Sequence, residues 1–331
     1  MIKRLLPLLL LLAALTPTLA QQPELRFGAS RKFKIVQLTD LHIKWQDHRS
    51  DSAFACIRNV VEAEKPDLIM LTGDIIYSSP ATDNMRSVLQ FVSSFKIPFA
   101  LTFGNHDHEQ GANNAELLQV VQGIPYCIVS TQRGISGEGN CALSVKSADG
   151  VRDAAALYCF DSQAYTQLKP QGVDGYDHIR LDQLQWYINT SKRYARRNDH
   201  KPLPSLAFFH IPLPEFAEAA ASQNTTLYGI HNEKVCAPAL NSGLFAAMME
   251  QGDVMGIFVG HDHDNDFAVN WYSILLAYGR FSGGNTVYNH LSNGARVIEL
   301  TEDKRTIHTW IRLRDGKVEQ ETVFPTDYTK K

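Results

Sequence analysis

The sequence predicts an α/β (α+β) layered domain, and three observations carry that expectation. Short apolar runs alternate with longer amphipathic patterns through most of the 331-residue chain, the pattern of strands packed against helices. Two segments, near 140–160 and 293–323, read instead as hairpins and add antiparallel strands to a parallel centre. No repeat, low-complexity tract or Pro/Gly/Ser linker divides residues 21–331, so they are expected to form one domain.

The first twenty residues carry a different signal. Lys3 and Arg4 precede an apolar run from Leu5 to Leu15, and Thr18-Leu19-Ala20 supplies small residues before Gln21. A basic start, a short apolar segment and such a cut site make residues 1–20 a secretory signal peptide. The run is short for a bilayer of ~30 Å and is interrupted by Pro7, and no cysteine follows Ala20 to take a lipid. The expected mature protein is soluble and extracytoplasmic, secreted or periplasmic, without a membrane anchor.

Beyond the leader, strands are expected over Phe33–Thr39, Asp67–Thr72, Phe99–Phe103, Leu206–Phe209 and Val254–Val259. Helices are expected over Asp51–Glu64, Thr82–Phe95 and Asn241–Gln251, with another starting near Asp182. With 44% hydrophobic residues the chain can bury a full core. Its 32 basic and 35 acidic residues argue against non-specific nucleic-acid binding. The one basic run, Lys192-Arg193-Tyr194-Ala195-Arg196-Arg197, is read as a solvated helix face. The five cysteines, Cys56, Cys127, Cys141, Cys159 and Cys236, are odd in number and lack a C-x-x-C spacing, so buried, reduced thiols are expected. Cys141 and Cys159 flank a turn at Ser147–Gly150, but at unequal distances from it.

The polar residues of interest follow the strands. Asp40, Asp74, Asn105, His210 and His261 each stand just beyond a strand end, and ligands of open α/β sheets gather outside the carboxyl ends of strands. Asp40-Leu41-His42 and His261-Asp262-His263 each hold two potential ligands two residues apart, which an extended backbone would point to one side. Gly73, Gly104 and Gly260 precede three of these positions and would allow sharp turns there. Carboxylates mixed with imidazoles suit Zn, Fe or Mn better than Ca or Mg. Any one of these pieces is an ordinary loop or helix cap. Their joint occurrence in order is what points to a metal site. His48, His108, His178, His200, His231, His290 and His308 are read as surface or satisfied core residues, with His231 and His290 in loops that reach towards the cleft. Arg280 is read as an exposed structural arginine, with a phosphate clamp as the alternative.

Together Asp40-x-His42, Gly73-Asp74, Gly104-Asn105-His106-Asp107, His210 and Gly260-His261-Asp262-His263 resemble the calcineurin-like metallophosphoesterase superfamily, and Phe208-Phe209-His210-Ile211-Pro212 resembles its small purple acid phosphatase-like branch. The resemblance runs from about Phe33 to Leu300. It implies a four-layer β-sandwich flanked by helices, with the active site at the carboxyl ends of the strands. It also implies a pair of divalent or mixed-valence transition-metal ions, Fe, Zn or Mn. Asp40, His42 and His263 would hold one ion, Asn105, His210 and His261 the other, and Asp74 would bridge them. In Gly73-Asp74-Ile75-Ile76-Tyr77 the chain also has the spacing at which purple acid phosphatases place an iron-binding tyrosine, although those enzymes usually lack the histidine of Asp-x-His. His42 is therefore expected to take the coordination position and Tyr77 to pack beside it.

The implied chemistry is phosphomonoester hydrolysis by attack of a metal-bridging hydroxide. His106, next to Asn105 but outside the ligand set, suits a general acid that protonates the leaving oxygen. Asp107 would orient the loop or a histidine lying behind the metal ligands. The expected partner is a small-molecule or protein phosphate ester. The alternatives are a phosphodiesterase of the same fold or, in a different class, a non-catalytic metal- or partner-binding protein. Loops near 108–115, 162–178, 222–236 and 279–290 would set the substrate.

Overall fold

The computed structural model describes residues 23–329, and the leader expected over residues 1–20 lies outside them. One sheet has six strands, in the order Val318–Phe324, Ile307–Leu313, Gly294–Thr301, Lys32–Leu38, Leu68–Thr72 and Phe99–Thr102. The other has eight, in the order Leu25–Arg26, Cys141–Lys146, Asp153–Cys159, Ser205–Phe208, Val254–Val259, Ile274–Tyr278, Ala268–Trp271 and Leu227–Tyr228. Parallel pairing runs through the centre of the eight-stranded sheet, and in the six-stranded sheet it joins Lys32–Leu38, Leu68–Thr72 and Phe99–Thr102 at one end. The two hairpins expected from the sequence flank these parallel strands and pair antiparallel.

Alternation along the strands sets the layers. In Asp153–Cys159, Ala155, Leu157 and Cys159 join a core shared with the six-stranded sheet, whereas Ala156 and Tyr158 join a second core. The first core takes in the apolar faces of helices Asp51–Glu64, Ala81–Ser93 and Asn114–Gln122; the second lies under helices Leu181–Arg197, Pro214–Ala221 and Leu244–Gln251. The order is therefore helices, sheet, sheet, helices. That is the four-layer sandwich.

Local chemistry explains the helix limits. Asp51–Glu64 buries Ala53, Ile57, Val60 and Val61, a stripe at steps of three and four residues, and stops where Lys65 turns left-handed at φ 48° with its N–H on the Val61 carbonyl. Asn114–Gln122 begins with a reciprocal cap, in which the Asn113 side chain accepts from the Glu116 N–H and the Glu116 carboxylate accepts from the Asn113 N–H. On Leu181–Arg197, Thr190, Ser191 and Tyr194 are buried while Lys192, Arg193, Arg196 and Arg197 are exposed, so the basic run is a solvated face.

Three details depart from the sequence reading. The hairpin Ala268–Trp271/Ile274–Tyr278 was unreadable because its turn residues, Tyr272 and Ser273, take φ 45° and 71° without the glycine or asparagine that normally marks such a turn. Cys141 and Cys159 do sit opposite each other, because a bulge after Val145 absorbs the extra residue. All five thiols are free and four are buried, but Cys236 is only half-buried. No helix among the described residues is long and apolar enough to cross a membrane.

Candidate metal centre

The carboxyl ends of the two sheets meet where Thr39 bridges to Phe281. Asp40, His42, Asp74 and Asn105 arrive there from the six-stranded sheet, and His210, His261 and His263 from the eight-stranded one. All seven side chains are buried. Their donor atoms fall into two groups that could each hold a metal ion: Asp40 with His42 and His263, and Asp74 with His210 and His261. His42 Nε2 lies 3.1 Å from His263 Nε2, and His261 Nδ1 lies 3.3 Å from His210 Nε2. Asp74 Oδ2 stands between the groups, 3.1 Å from His210 Nε2 and 3.7 Å from His42 Nε2. Asp40 Oδ1 is 3.7 Å from His263 Nε2 and 3.9 Å from His42 Nε2.

Hydrogen bonds on the outer side of the rings select which nitrogens face inward. His210 Nδ1 donates to the Thr72 carbonyl at 2.8 Å and His263 Nδ1 to the Tyr288 carbonyl at 2.8 Å. A carbonyl only accepts, so in the neutral ring Nδ1 carries the proton and Nε2 offers its lone pair to the cavity. Asn105 Oδ1 is also buried, with no hydrogen-bond partner among the described residues. Lone pairs and carboxylates that converge within 3–4 Å in a buried pocket fit a cation, and this nitrogen-oxygen donor set fits a transition metal.

Charge within the cluster follows the same logic. Burial lowers the pKa of His42 and of His261, and it raises that of Asp40. Burial would also lower His210, but the Asp74 and Asp40 carboxylates outweigh it and push the ring up to about 10. Against burial, the surrounding imidazoles, His210 foremost, hold Asp74 well below the usual carboxylate range. The two acids therefore demand positive charge close by, which a bound cation would meet.

The backbone is bent to achieve this convergence. Asp40, His42, Asp74 and His261 take φ values of 55°, 44°, 51° and 83°. The two ligand pairs therefore address one cavity through left-handed kinks, not through the extended geometry expected from the sequence. Each such residue costs about 1–3 kcal/mol, a strain that concentrates at functional sites. The glycine expectation also needs correction. Gly73 does have φ 81°, but Gly104 and Gly260 serve close approach: a Cβ on Gly104 would stand 2.1 Å from Asp74 Oδ1, and one on Gly260 1.9 Å from Thr39 Oγ1.

Asp107 accepts the N–H groups of Gly104, Asp74, Ile75 and Ile76 at 2.8–3.1 Å. It ties two site loops together and holds no histidine. His106 lies outside both groups and half-exposed, with its backbone N–H on Asp74 Oδ1 at 2.8 Å and its Nδ1 2.6 Å from Glu109 Oε2. Tyr77 packs edge-on to His42 at 5.0 Å and to His106 at 5.2 Å. Arg280 is buried, not exposed; it is paired with Asp266 and donates to the Ser292 carbonyl at 2.7 Å, which ties it to structure and away from a phosphate. His290 pairs with Asp264, and His231 rests on the Phe267 ring.

Sequence reasoning missed Glu109 and the tyrosines around the cluster. Tyr288 stacks on His263 at 4.5 Å, Tyr176 meets His261 edge-on at 4.3 Å, and Tyr165 Oη lies 3.3 Å from Asn105 Nδ2. Glu109 was readable in principle, since it lies three residues after His106 across one short helical turn. The tyrosines were not, because they come from loops far away in sequence.

Residues 33–265 match the calcineurin-like phosphoesterase family. The chain belongs to that family. A relative in Arabidopsis thaliana, named "Probable inactive purple acid phosphatase 29", is 33% identical over an alignment covering 90% of this chain and 87% of the relative. Phosphatase DCR2 of Saccharomyces cerevisiae is 29% identical over 87% of this chain and 55% of its own length. A dimetal phosphatase from Danio rerio superposes with a TM-score of 0.59 at 13% identity, over 88% of this chain and 99% of that one, a likeness of fold. Family membership and two candidate ligand triads together indicate a phosphoesterase scaffold built for two metal ions.

Proposed function

We propose that this chain is an exported phosphomonoesterase, a single catalytic domain following a cleaved leader. Asp40, His42 and His263 would hold one transition-metal ion and Asn105, His210 and His261 the second, with the Asp74 carboxylate shared between the two groups. The observation that carries this reading is the placement of Asp74 Oδ2 between the two imidazole groups, 3.1 Å from one and 3.7 Å from the other. Two ions held there would supply Lewis acidity towards the phosphoryl group and lower the pKa of the attacking water.

The chain's own residues do the rest. Asp74, buried among imidazoles, keeps its negative charge between the two positions. Asn105 would present its buried carbonyl oxygen to the second ion. Glu109 engages His106 Nδ1, which leaves Nε2 as the nitrogen that delivers a proton to the leaving oxygen. Asp107 holds the loops that carry Asp74 and Asn105 in register.

The word "inactive" in the name of the Arabidopsis relative favours a second reading, a protein that binds metal without turnover. The full donor set together with His106 supports the catalytic one. Purified protein loaded with Mn, Zn or Fe decides between them by metal analysis alongside turnover of an aryl phosphate and an aryl phosphodiester. Two ions per chain and preferred monoester turnover, lost on chelation, is the expected result. Two ions without turnover would establish the second reading, and preferred diester turnover would make the enzyme a phosphodiesterase.

A further inference from the structure

An asparagine that binds a metal must present its oxygen, yet its two amide ends are nearly the same size. Whatever engages the NH₂ decides which end faces the ion. In this chain the Asn105 amide nitrogen lies 3.3 Å from Tyr165 Oη, while the Asn105 oxygen is buried and unpartnered. Tyr165 is itself held by a small arm. Thr166 N–H donates to Gly175 O at 3.0 Å and Asp177 N–H to Ala164 O at 2.9 Å, which brings Tyr165 onto Tyr176 with the rings stacked 5.6 Å apart. Tyr176 in turn rests edge-on against His261 at 4.3 Å. Asp161 anchors the base of the arm through the N–H groups of Glu138 and Gln163, both at 2.8 Å. One arm therefore reaches two of the three residues assigned to the second ion.

The same hydroxyl has a second neighbour. Burial raises the pKa of the Tyr165 hydroxyl, and the Glu109 carboxylate nearby raises it further. Glu109 also engages His106 Nδ1 at 2.6 Å.

We infer that Tyr165 is a positioning residue: its hydroxyl accepts from the Asn105 amide and turns the amide oxygen to the metal side. This rests on the proposed metal centre, but metal affinity reads it whether or not the protein turns over a phosphate ester. The test is a double-mutant cycle with Mn(II) titrated into metal-free protein, read by calorimetry or chelator competition. Tyr165→Phe keeps the ring on Tyr176 and removes only the hydroxyl. It should weaken one of the two ions by ~10- to 100-fold, the scale on which residues behind a ligand act, and leave the other ion within about twofold. Asn105→Asp presents two equivalent oxygens, so no wrong end remains. In that background Tyr165→Phe should change the affinity by less than about threefold. Equal losses in both backgrounds, or no loss in the first, would overturn the orienting role.

Discussion

The two sheets contribute unlike chemistry to one site. The six-stranded sheet brings the oxygen donors Asp40, Asp74 and Asn105, with a single imidazole, His42; the eight-stranded sheet brings only imidazoles, His210, His261 and His263. Their support differs in kind as well. The oxygen side is braced by charge and backbone, with Asp107 gripping four N–H groups. The imidazole side is braced by carbonyls and rings: Thr72 and Tyr288 fix the tautomers of His210 and His263, and Tyr176 and Tyr288 pack on His261 and His263. Neither sheet carries a complete ligand group, since each of the two groups draws on both. Metal binding should therefore report on how well the sheets are docked.

That division can be broken from either side. The largest effect is expected from the oxygen side: Asp74→Asn removes the charge both positions share, so both ions should be lost and turnover should fall by on the order of 10³-fold or more. Metal analysis of the variant checks this, and two ions retained would remove Asp74 from the bridging role. On the imidazole side His263→Ala should cost one ion per chain and leave the second, a stoichiometry readable by the same analysis.

His106→Ala should cost neither ion. Its loss should appear only in turnover, ~10²- to 10⁴-fold for an alkyl phosphate, and much less for an aryl phosphate whose phenolate leaves without a proton. Equal losses for both leaving groups at full metal content would make His106 a phosphate-binding residue. Tyr77→Phe should leave metal content and visible spectrum unchanged. A tyrosinate-to-iron band that disappears in this variant would transfer the ligand role from His42 to Tyr77.

The smallest effect sharpens the comparison from outside the site. Glu64, buried under the six-stranded sheet, accepts from Trp310 Nε1 at 3.0 Å and Arg312 Nε at 2.6 Å. Burial would raise its pKa, but these donors and Lys34 outweigh burial and hold it below the ordinary carboxylate value. A depressed carboxylate stabilises the fold above its unfolded pKa of about 4.3 and stops doing so as pH falls through the lower folded value. Glu64→Gln should therefore cost about 1–3 kcal/mol at pH 7, and the gap to the parent should close in acid. Urea unfolding at both pH values measures it, with both ions retained.

Much of this is legible in the sequence alone. The Asp51–Glu64 helix and the Val254–Val259 strand agree in both limits with their apolar patterns, because burial periodicity is a local property of the chain. The candidate ligands were legible because each follows a strand and the set recurs in order. Extended geometry was nevertheless the wrong account of the Asp40/His42 pair, since positive φ at a non-glycine residue leaves no mark in the sequence. Arg280 was misread for a related reason: its partner Asp266 is near in sequence, but what buries it is the docking of other strands.

By itself the sequence determined the residue types of the site, their order along the chain and the layers that carry them, because ligand identity and hydrophobic period are written in consecutive residues. Only the tertiary structure decided which candidate ligands share a position, which ring nitrogen of His210 and His263 faces inward, and that Glu109 and Tyr165 stand behind His106 and Asn105. The physical reason is distance along the chain. Asn105 and Tyr165 lie 60 residues apart and His42 and His263 lie 221 apart, so no local preference encodes either contact. Both depend on burying two sheets against each other, and the free energy of that burial is what holds the strained loops in place.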